Sequence, residues 1–174
     1  PCRVVPRQYR NSIKQAAKQC PALTPILLAA QIDQESGFNP DAVSSAGAEG
    51  IAQFIPDTWE VWGEDLDGDG VASPYNALEA IDAQARMMCF LVFEANTSDI
   101  DGDPIDLALA AYNSGWSQVV RYDGIPPFRE TRQYVKKVLK NYDKHTRKLE
   151  KYEKKQLEGG SIPEEFRCES VADR

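Results

Sequence analysis

Three observations predict a mainly α-helical fold with little or no β-sheet. Apolar residues recur at helical spacing in several segments, and these segments begin or end at residues that favour helix termini. Alternating apolar and polar residues, which would indicate strands, are few. The 174 residues show no internal repeat and suffice for one substantial core. We therefore expect one helical domain with a cleft between two groups of helices.

Each predicted helix has its own start or stop signal. Thr24 is a good N-cap and Pro25 suits the first helical position, so a helix begins there. Apolar residues occupy most of its sides, which predicts burial, and Gly37 ends it. The predicted helices run over 6–19, 25–36, a short segment capped by Asp57-Thr58, 76–96 with Asn76 as N-cap, 105–113, a short segment from Ser117, and from about Glu130 to Gly159-Gly160. Between them, glycines and serines in 37–53 predict an irregular loop with a small hairpin across 45–47.

Charge and hydropathy exclude several classes of function. The formal net charge of −7 argues against nucleic-acid binding, which usually needs a basic face. Basic residues gather before Cys20 and after Arg121, most simply as solvated surface. The alternative is that these basic ends meet an anionic polymer, such as a cell wall, or a lipid surface. No run approaches the roughly 18 apolar residues that span a bilayer, and no leader-like segment opens the chain, so we expect a mature or truncated form.

The four cysteines lie far apart, without the close spacing of zinc sites. Their even number predicts two disulfides and an oxidising, extracellular setting; the alternative is four buried free thiols. Of the three pairings, we favour Cys20–Cys89, which joins the approach to the apolar helix to a later core helix. The second pair is then Cys2–Cys168, which ties the chain ends together.

Glu35 stands at the C-terminal end of the apolar helix. Burial disfavours its anion, and so does the negative end of the helix dipole. The position therefore predicts a carboxyl group that stays protonated near neutral pH, as a general acid requires. The alternative is a solvated glutamate in a helix-ending turn.

Two stretches around Glu35 carry a resemblance to a known family. They are 35–40 (Glu-Ser-Gly-Phe-Asn-Pro) and 47–58 (Gly-Ala-Glu-Gly-Ile-Ala-Gln-Phe-Ile-Pro-Asp-Thr). Together they closely resemble the central motif of the soluble lytic transglycosylases (glycoside hydrolase family 23, lysozyme-like), in particular secreted actinobacterial members. The resemblance implies a lysozyme-like helical domain with an active-site cleft over 23–142. An N-terminal helix and disulfide-tethered extension (1–22) would precede it, and a charged helix and tail packed on the same domain (143–174) would follow.

The family resemblance implies a reaction that needs one acid. Its members cut the β-1,4 bond between N-acetylmuramic acid and N-acetylglucosamine in peptidoglycan and leave a 1,6-anhydromuramoyl product. Glu35 would be the acid and then the base, with no cofactor required. Asp41 and Glu49 are the nearest candidates for a second carboxylate, and both are interpreted as solvated loop acids. The alternatives are a hydrolytic muramidase, or a non-catalytic wall-binding module.

Further motifs suggest the substrate-binding residues. Residues 111–115 (Ala-Tyr-Asn-Ser-Gly) and 130–135 (Glu-Thr-Arg-Gln-Tyr-Val) resemble two more family motifs. Aromatic rings stack on sugar faces, while amides and hydroxyls match sugar hydroxyls and acetamido groups. The alternative for the two tyrosines is an ordinary place in the core. The predicted substrate-binding residues are Ser44, Gln53, Phe54, Tyr112, Asn113, Trp116, Glu130 and Tyr134, with Phe54 and Ile55 as an apolar wall near the acid.

The segment 65–73 matches the first nine positions of an EF-hand loop. Its predicted calcium ligands are Asp65, Asp67, Asp69 and the backbone of Val71. The match fails at the twelfth position, where Asn76 replaces a bidentate glutamate. The alternative is therefore an Asp-Gly turn cluster without metal, and any calcium would be structural.

The remaining expectations concern location, partners and one histidine. The resemblance and the cysteines predict a secreted or cell-wall-associated protein, a monomer whose partner is the peptidoglycan glycan strand. His145 lies in a charged helical segment and is predicted to be a surface residue.

Overall fold

The computed structural model of the protein describes residues 5–157. No strand is present in this range, although isolated antiparallel bridges join Val43 to Glu49 and Glu49 to Phe54. The mainly α prediction is therefore confirmed. The α-helices of the described range are α1 (Arg10–Ala16), α2 (Pro25–Ser36), α3 (Pro56–Trp62), α4 (Ala77–Thr97), α5 (Pro104–Ser114), α6 (Trp116–Arg121) and α7 (Arg129–Leu157), with 3-10 turns at Arg7–Tyr9 and Ala17–Gln19 flanking α1.

Helix α2 is the buried centre of the fold, and both of its predicted ends are confirmed. The Thr24 side chain accepts a hydrogen bond from the backbone N–H of Leu27 at 3.1 Å. At the other end Gly37 adopts the left-handed conformation, with φ +61°, and its N–H reaches the carbonyl of Asp33. Helix α2 packs against α7 and α1. This packing places Glu35, in the last turn of α2, beside residues of α7.

Helices α4 and α5 form the second group, and α1 packs on α4. Cys20 and Cys89 form a disulfide with Cα atoms 6.0 Å apart, as predicted. Cys2 and Cys168, the second predicted pair, lie outside the described residues. The disulfide therefore joins the segment that leads into α2 to the middle of α4.

Three helix starts differ from the prediction. The segment predicted as one helix over 6–19 is α-helical only in α1, which begins at Arg10 after a 3-10 turn. Helix α3 begins at Pro56, with Ile55 as its N-cap, rather than at an Asp57-Thr58 cap. Proline is favoured at the first helical position because its missing N–H has no partner there in any case. Helix α6 begins at Trp116, directly after Gly115. The predicted Asn76 cap of α4 is confirmed, since its side chain accepts from the N–H of Leu78.

The prediction for His145 is wrong. His145 is only 3% exposed, and its Nε2 lies 4.0 Å from Asp33 Oδ2 on α2. It follows the buried Val138 by seven residues, or two helical turns, so it returns to the face of α7 that packs on α2. Burial lowers the pKa of His145, which favours its neutral form. The charged composition of the segment describes only the opposite face of α7.

The predicted domain boundaries at 22/23 and 142/143 stay predictions. Within the described range, α1 and α7 pack on the same helices that carry the central segment. No helix between residues 5 and 157 combines the length and the apolar character needed to cross a membrane.

Candidate active site

Glu35 lies beside two tyrosines from other helices. The hydroxyl of Tyr134, on α7, donates a hydrogen bond to Glu35 Oε1 at 2.5 Å. Burial raises the pKa of Glu35 to about 8, while the hydrogen bond from Tyr134 acts in the opposite direction. A pKa of about 8 agrees with the predicted protonation near neutral pH. The carboxyl group has the state of a general acid, within reach of a phenol that can also stabilise its anion.

Tyr112, on α5, is the second phenol near Glu35. Burial raises its pKa well above the usual value, and so does the negative charge of Glu35. Its hydroxyl donates to the carbonyl of Ala52 at 2.9 Å, and its ring meets the edge of Phe54 at 6.0 Å between centroids. Tyr112 therefore holds the loop after α2 against α5. Both predicted cleft tyrosines are near the acid, although Tyr134 itself is buried.

The loop 42–54 is held mainly by its own polar groups. Ser44 and Ala48 close the predicted hairpin, with Ser44 N–H donating to the Ala48 carbonyl at 2.9 Å and Ser44 Oγ accepting from Ala48 N–H at 3.0 Å. Gln53 adopts a positive φ of 55°, and its Nε2 donates to the carbonyls of Ala42 and Gly50. The polar groups of Ser44 and Gln53 shape the loop here, and their contact with sugar stays a prediction.

Phe54 ends this loop and is only 2% exposed. Its ring packs against Trp59 as well as Tyr112. Phe54 is therefore a buried residue packed between two aromatic rings rather than an open stacking surface, and its place in an apolar wall near the acid stays a prediction. The neighbouring Ile55 is 42% exposed.

Asn113 and Glu130 line an open pocket of about 310 Å³. Thr131 Oγ1 donates to Asn113 Oδ1 at 2.8 Å, which joins the end of α5 to the start of α7. The pocket brings together two of the predicted substrate-binding residues. Trp116 packs partly buried against the core and is not among the lining residues, which are Asn113, Ser114, Gln118, Phe128, Glu130 and Thr131.

Sequence reasoning missed two glutamines that connect to Glu35. Gln31 and Gln84 are fully buried, on α2 and α4 respectively. Gln31 Nε2 donates to the hydroxyl of Tyr134 at 3.1 Å, and Gln84 Nε2 donates to Gln31 Oε1 at 2.8 Å. One signal was available, because Gln31 is the one polar residue of the apolar stretch 26–32 and precedes Glu35 by four residues. Nothing local to Gln84 indicates its partner.

The aspartate loop forms a carboxylate cluster that differs from the predicted ligand set. Carboxylate oxygens of Asp65, Asp67 and Glu79 all lie within 4.8 Å of one another. Glu79, on α4, is buried and accepts from the backbone N–H groups of Leu66 and Ser73. Asp69 instead accepts from the N–H of Val71 and is not part of this cluster. The oxygen-only donor set suits a calcium ion, with Glu79 taking the place of the missing twelfth-position glutamate.

The chain is similar to several lytic transglycosylases in sequence and in fold. The membrane-bound lytic murein transglycosylase D of Escherichia coli K12 is 34% identical to this chain in an alignment of 124 residues, and the match covers 60% of this chain and 25% of that protein. The X-ray structure of an inactive glutamate-to-glutamine mutant of the lytic transglycosylase Slt from Pseudomonas aeruginosa aligns with a TM-score of 0.62 and 27% identity, over 83% of this chain and 25% of that one. The 70-kDa soluble lytic transglycosylase of Escherichia coli has the same fold, with a TM-score of 0.58 and 24% identity over 87% of this chain and 25% of that one.

The chain thus spans about a quarter of the length of each of these relatives. Their sources are Escherichia coli and Pseudomonas aeruginosa, so the expected similarity to actinobacterial members stays a prediction. The family model of the transglycosylase SLT domain matches residues 12–135, which is more than half of the chain. The chain therefore belongs to the SLT domain family of transglycosylases, as its motifs predicted.

Proposed function

We propose that this chain is a peptidoglycan lytic transglycosylase that cleaves the β-1,4 bond between N-acetylmuramic acid and N-acetylglucosamine. The observation that carries the proposal is the state of Glu35, which is a single carboxyl group with a pKa of about 8, hydrogen-bonded by Tyr134. Within residues 5–157, the pKa shifts of Glu35, Tyr112 and Tyr134 arise from burial and from groups within this cluster, and no second carboxylate contributes to them. A site with one acid suits an intramolecular reaction better than hydrolysis by two carboxylates.

In this reaction Glu35 acts twice. It first gives its proton to the bridging oxygen as the bond from that oxygen to C1 of the muramic acid breaks, so N-acetylglucosamine leaves as an alcohol. The C6 hydroxyl of the same muramic acid then attacks C1, and the Glu35 carboxylate takes its proton. The product is a 1,6-anhydro ring, no water is consumed, and Glu35 recovers its proton. Attack within one sugar has a high effective molarity, so the site need not hold a water molecule.

The relatives support this assignment. The Escherichia coli relative is a murein transglycosylase, and the solved Pseudomonas aeruginosa protein is inactive when one glutamate becomes glutamine. A role for a lone glutamate in this chain fits both facts. The Cys20–Cys89 disulfide further supports action outside the cytoplasm, where disulfides persist. We propose that the domain acts on glycan strands as a secreted or wall-associated monomer.

The products distinguish this reaction from its alternatives. Mass spectrometry of digested peptidoglycan is expected to find muropeptides ending in 1,6-anhydromuramic acid. A hydrolytic muramidase, digested in parallel as the control, gives reducing ends that are heavier by one water. Reducing ends from this chain would establish a muramidase, and the absence of any released fragment would favour a wall-binding module.

We also propose that the aspartate loop holds a structural calcium ion. Asp65, Asp67 and Glu79 would supply carboxylate oxygens, while Asp69, predicted from the loop pattern, lies outside this cluster and the backbone of Val71 stays a predicted ligand. The ion would connect the aspartate loop to the start of α4. It would take no part in the reaction, because Glu35 and its tyrosines form a separate cluster.

Calcium is therefore expected to raise the thermal stability of the protein. A folded state that binds the ion at one hundred times its Kd gains about 2.7 kcal/mol, which raises Tm by roughly 5–10 °C. Thermal melts with excess calcium, with magnesium at the same concentration, and with a chelator would measure the effect. The Asp67→Asn variant is the matched control and should lose most of the calcium response. A Tm that is unchanged by calcium and chelator would contradict the proposal.

A further inference from the structure

A chain of three buried polar side chains leads from α4 to the acid. Gln84, Gln31 and Tyr134 are all at most 6% exposed, and each donates a hydrogen bond to the next group toward Glu35. Side-chain amides at such depth cost free energy unless their polar atoms are paired. The distance along the sequence between Gln84 and Gln31 is 53 residues, so only the packing of α2 on its neighbours brings them together.

The chain of hydrogen bonds has one direction. The oxygen of Gln31 accepts from Gln84, so the amide nitrogen of Gln31 faces Tyr134. The hydroxyl oxygen of Tyr134 accepts this N–H, so the single hydroxyl proton of Tyr134 is donated to Glu35 Oε1. The opposite arrangement, with Glu35 donating to Tyr134, would leave the Tyr134 proton without an acceptor among these groups unless both amides turned over.

The orientation of Gln84 pairs its amide nitrogen with Gln31 but leaves its amide oxygen unpaired among the described residues. Its Oε1 is buried and has no hydrogen-bond partner within the described residues. An unpaired buried acceptor is destabilising, so the orientation of Gln84 is held by its other end, where Nε2 donates to Gln31.

From this geometry we infer that Gln31 and Gln84 are positioning residues, which hold the hydroxyl proton of Tyr134 on Glu35 Oε1 and so reserve Glu35 Oε2 to give and retake the catalytic proton. The inference rests on the proposed function of Glu35. The same hydrogen bond serves both halves of the reaction, since Tyr134 donates to the neutral acid and to the carboxylate alike. No side chain has to turn between the two proton transfers.

The test replaces each glutamine with methionine, which has a similar volume and lacks the amide. In Gln31→Met the Tyr134 oxygen loses the N–H that polarises its hydroxyl, so Tyr134 donates a weaker hydrogen bond to Glu35 and the Glu35 anion loses stability. We expect the pKa of Glu35 to rise by about 0.5–1 unit, measured by NMR titration of the ¹³C-labelled carboxyl group. We expect kcat to fall roughly 10-fold with KM within about twofold, because the loss affects chemistry more than binding. Gln84→Met should give smaller changes in the same directions.

The background with Tyr134→Phe tests whether the glutamines act through Tyr134. There, Gln31→Met should produce no further change in kcat or in the Glu35 titration. His145→Gln is the matched control. His145 is another buried polar residue where α7 packs on α2, and it lies outside the hydrogen-bond chain from Gln84 through Gln31 and Tyr134 to Glu35. It should change Tm without moving the Glu35 titration.

Two outcomes would overturn the inference. In the first, both methionine variants have the same Glu35 pKa and the same kcat as the parent. In the second, Gln31→Met lowers kcat as much in the Tyr134→Phe background as it does in the parent. If Gln31→Met does not fold, Gln84→Met tests the same chain of hydrogen bonds, because it removes the bond that Gln84 donates to Gln31. The titration is read on the resting protein, so it stands even if the digest shows no anhydro product. Conversely, if the Glu35 titration is unchanged in both methionine variants and the parent still releases anhydro products, the positioning role of the glutamines is rejected and the proposed function is kept.

Discussion

Replacing Glu35 with glutamine is expected to lower transglycosylase activity by at least about 10³-fold, because one residue performs both proton transfers. Glutamine keeps an oxygen that can accept from Tyr134, so the local structure should persist. Release of anhydromuropeptides from purified peptidoglycan measures the loss. Asp41→Asn is the matched control, since Asp41 is an exposed acid on the following loop, and it should keep at least half of the activity. Parent-like activity in Glu35→Gln would contradict the assignment of the acid.

The same variant should be more stable than the parent at alkaline pH. The folded state raises the pKa of Glu35 from 4.5 to about 8, so between these values the folded protein retains a proton that the unfolded chain releases. The stability of the parent relative to Glu35→Gln therefore falls as pH rises from 4.5 to 8 and is constant above that window. The difference should reach a few kcal/mol, on the order of 1.4 kcal/mol per unit of pKa shift and less where solvent reaches the carboxyl group. Urea unfolding across this pH range measures it, and parallel curves would argue against a buried neutral carboxyl.

Gly50→Ala is expected to be the most destabilising small substitution in the loop after α2. Gly50 has φ +75°, and an added Cβ would lie 1.8 Å from the carbonyl oxygen of Pro74. The atom that the Cβ would meet belongs to the backbone of Pro74, so a side-chain rotation cannot relieve the contact. We expect a loss of roughly 3 kcal/mol or more, measured by urea or thermal unfolding, with reduced activity.

Gly47→Ala is the matched control for Gly50→Ala. Gly47 also has a positive φ, of +80°, but an added Cβ there would meet no atom within 4 Å. Its cost should be only the left-handed backbone, about 1 kcal/mol. Equal losses in the two variants would show that the contact with Pro74 is relieved by movement of the loop.

Local signals in the sequence were sufficient for the helices and for the acid. Thr24, Gly37 and Asn76 act within a few residues of their own positions, so the helix ends they predict were confirmed. The state of Glu35 also follows from its place at the end of an apolar helix, although its partner Tyr134 comes from 99 residues away.

What the sequence did not predict depends on the register of packing between distant helices. His145 lies in a segment of lysines and acids, and only the contact of α7 with α2 reveals that one side of this segment is buried. Glu79 joins the aspartate cluster from a helix that begins beyond the EF-hand-like loop. Gln84 and Gln31 need the three-dimensional approach of α4 to α2. In each case the residue type was visible, but its partner was not.

The Cys20–Cys89 bond closes a covalent ring with a sequence separation of 69 residues. The ring contains Glu35, Gln31 and Gln84. The two tyrosines near Glu35, Tyr112 and Tyr134, belong to the part of the chain that follows Cys89. The disulfide-closed ring therefore includes Glu35 but neither of its tyrosine neighbours. Without the burial that the folded protein provides, Glu35 would have the pKa of an exposed glutamate. The neutral state of Glu35 therefore depends on α7, which lies outside the ring, packing against α2.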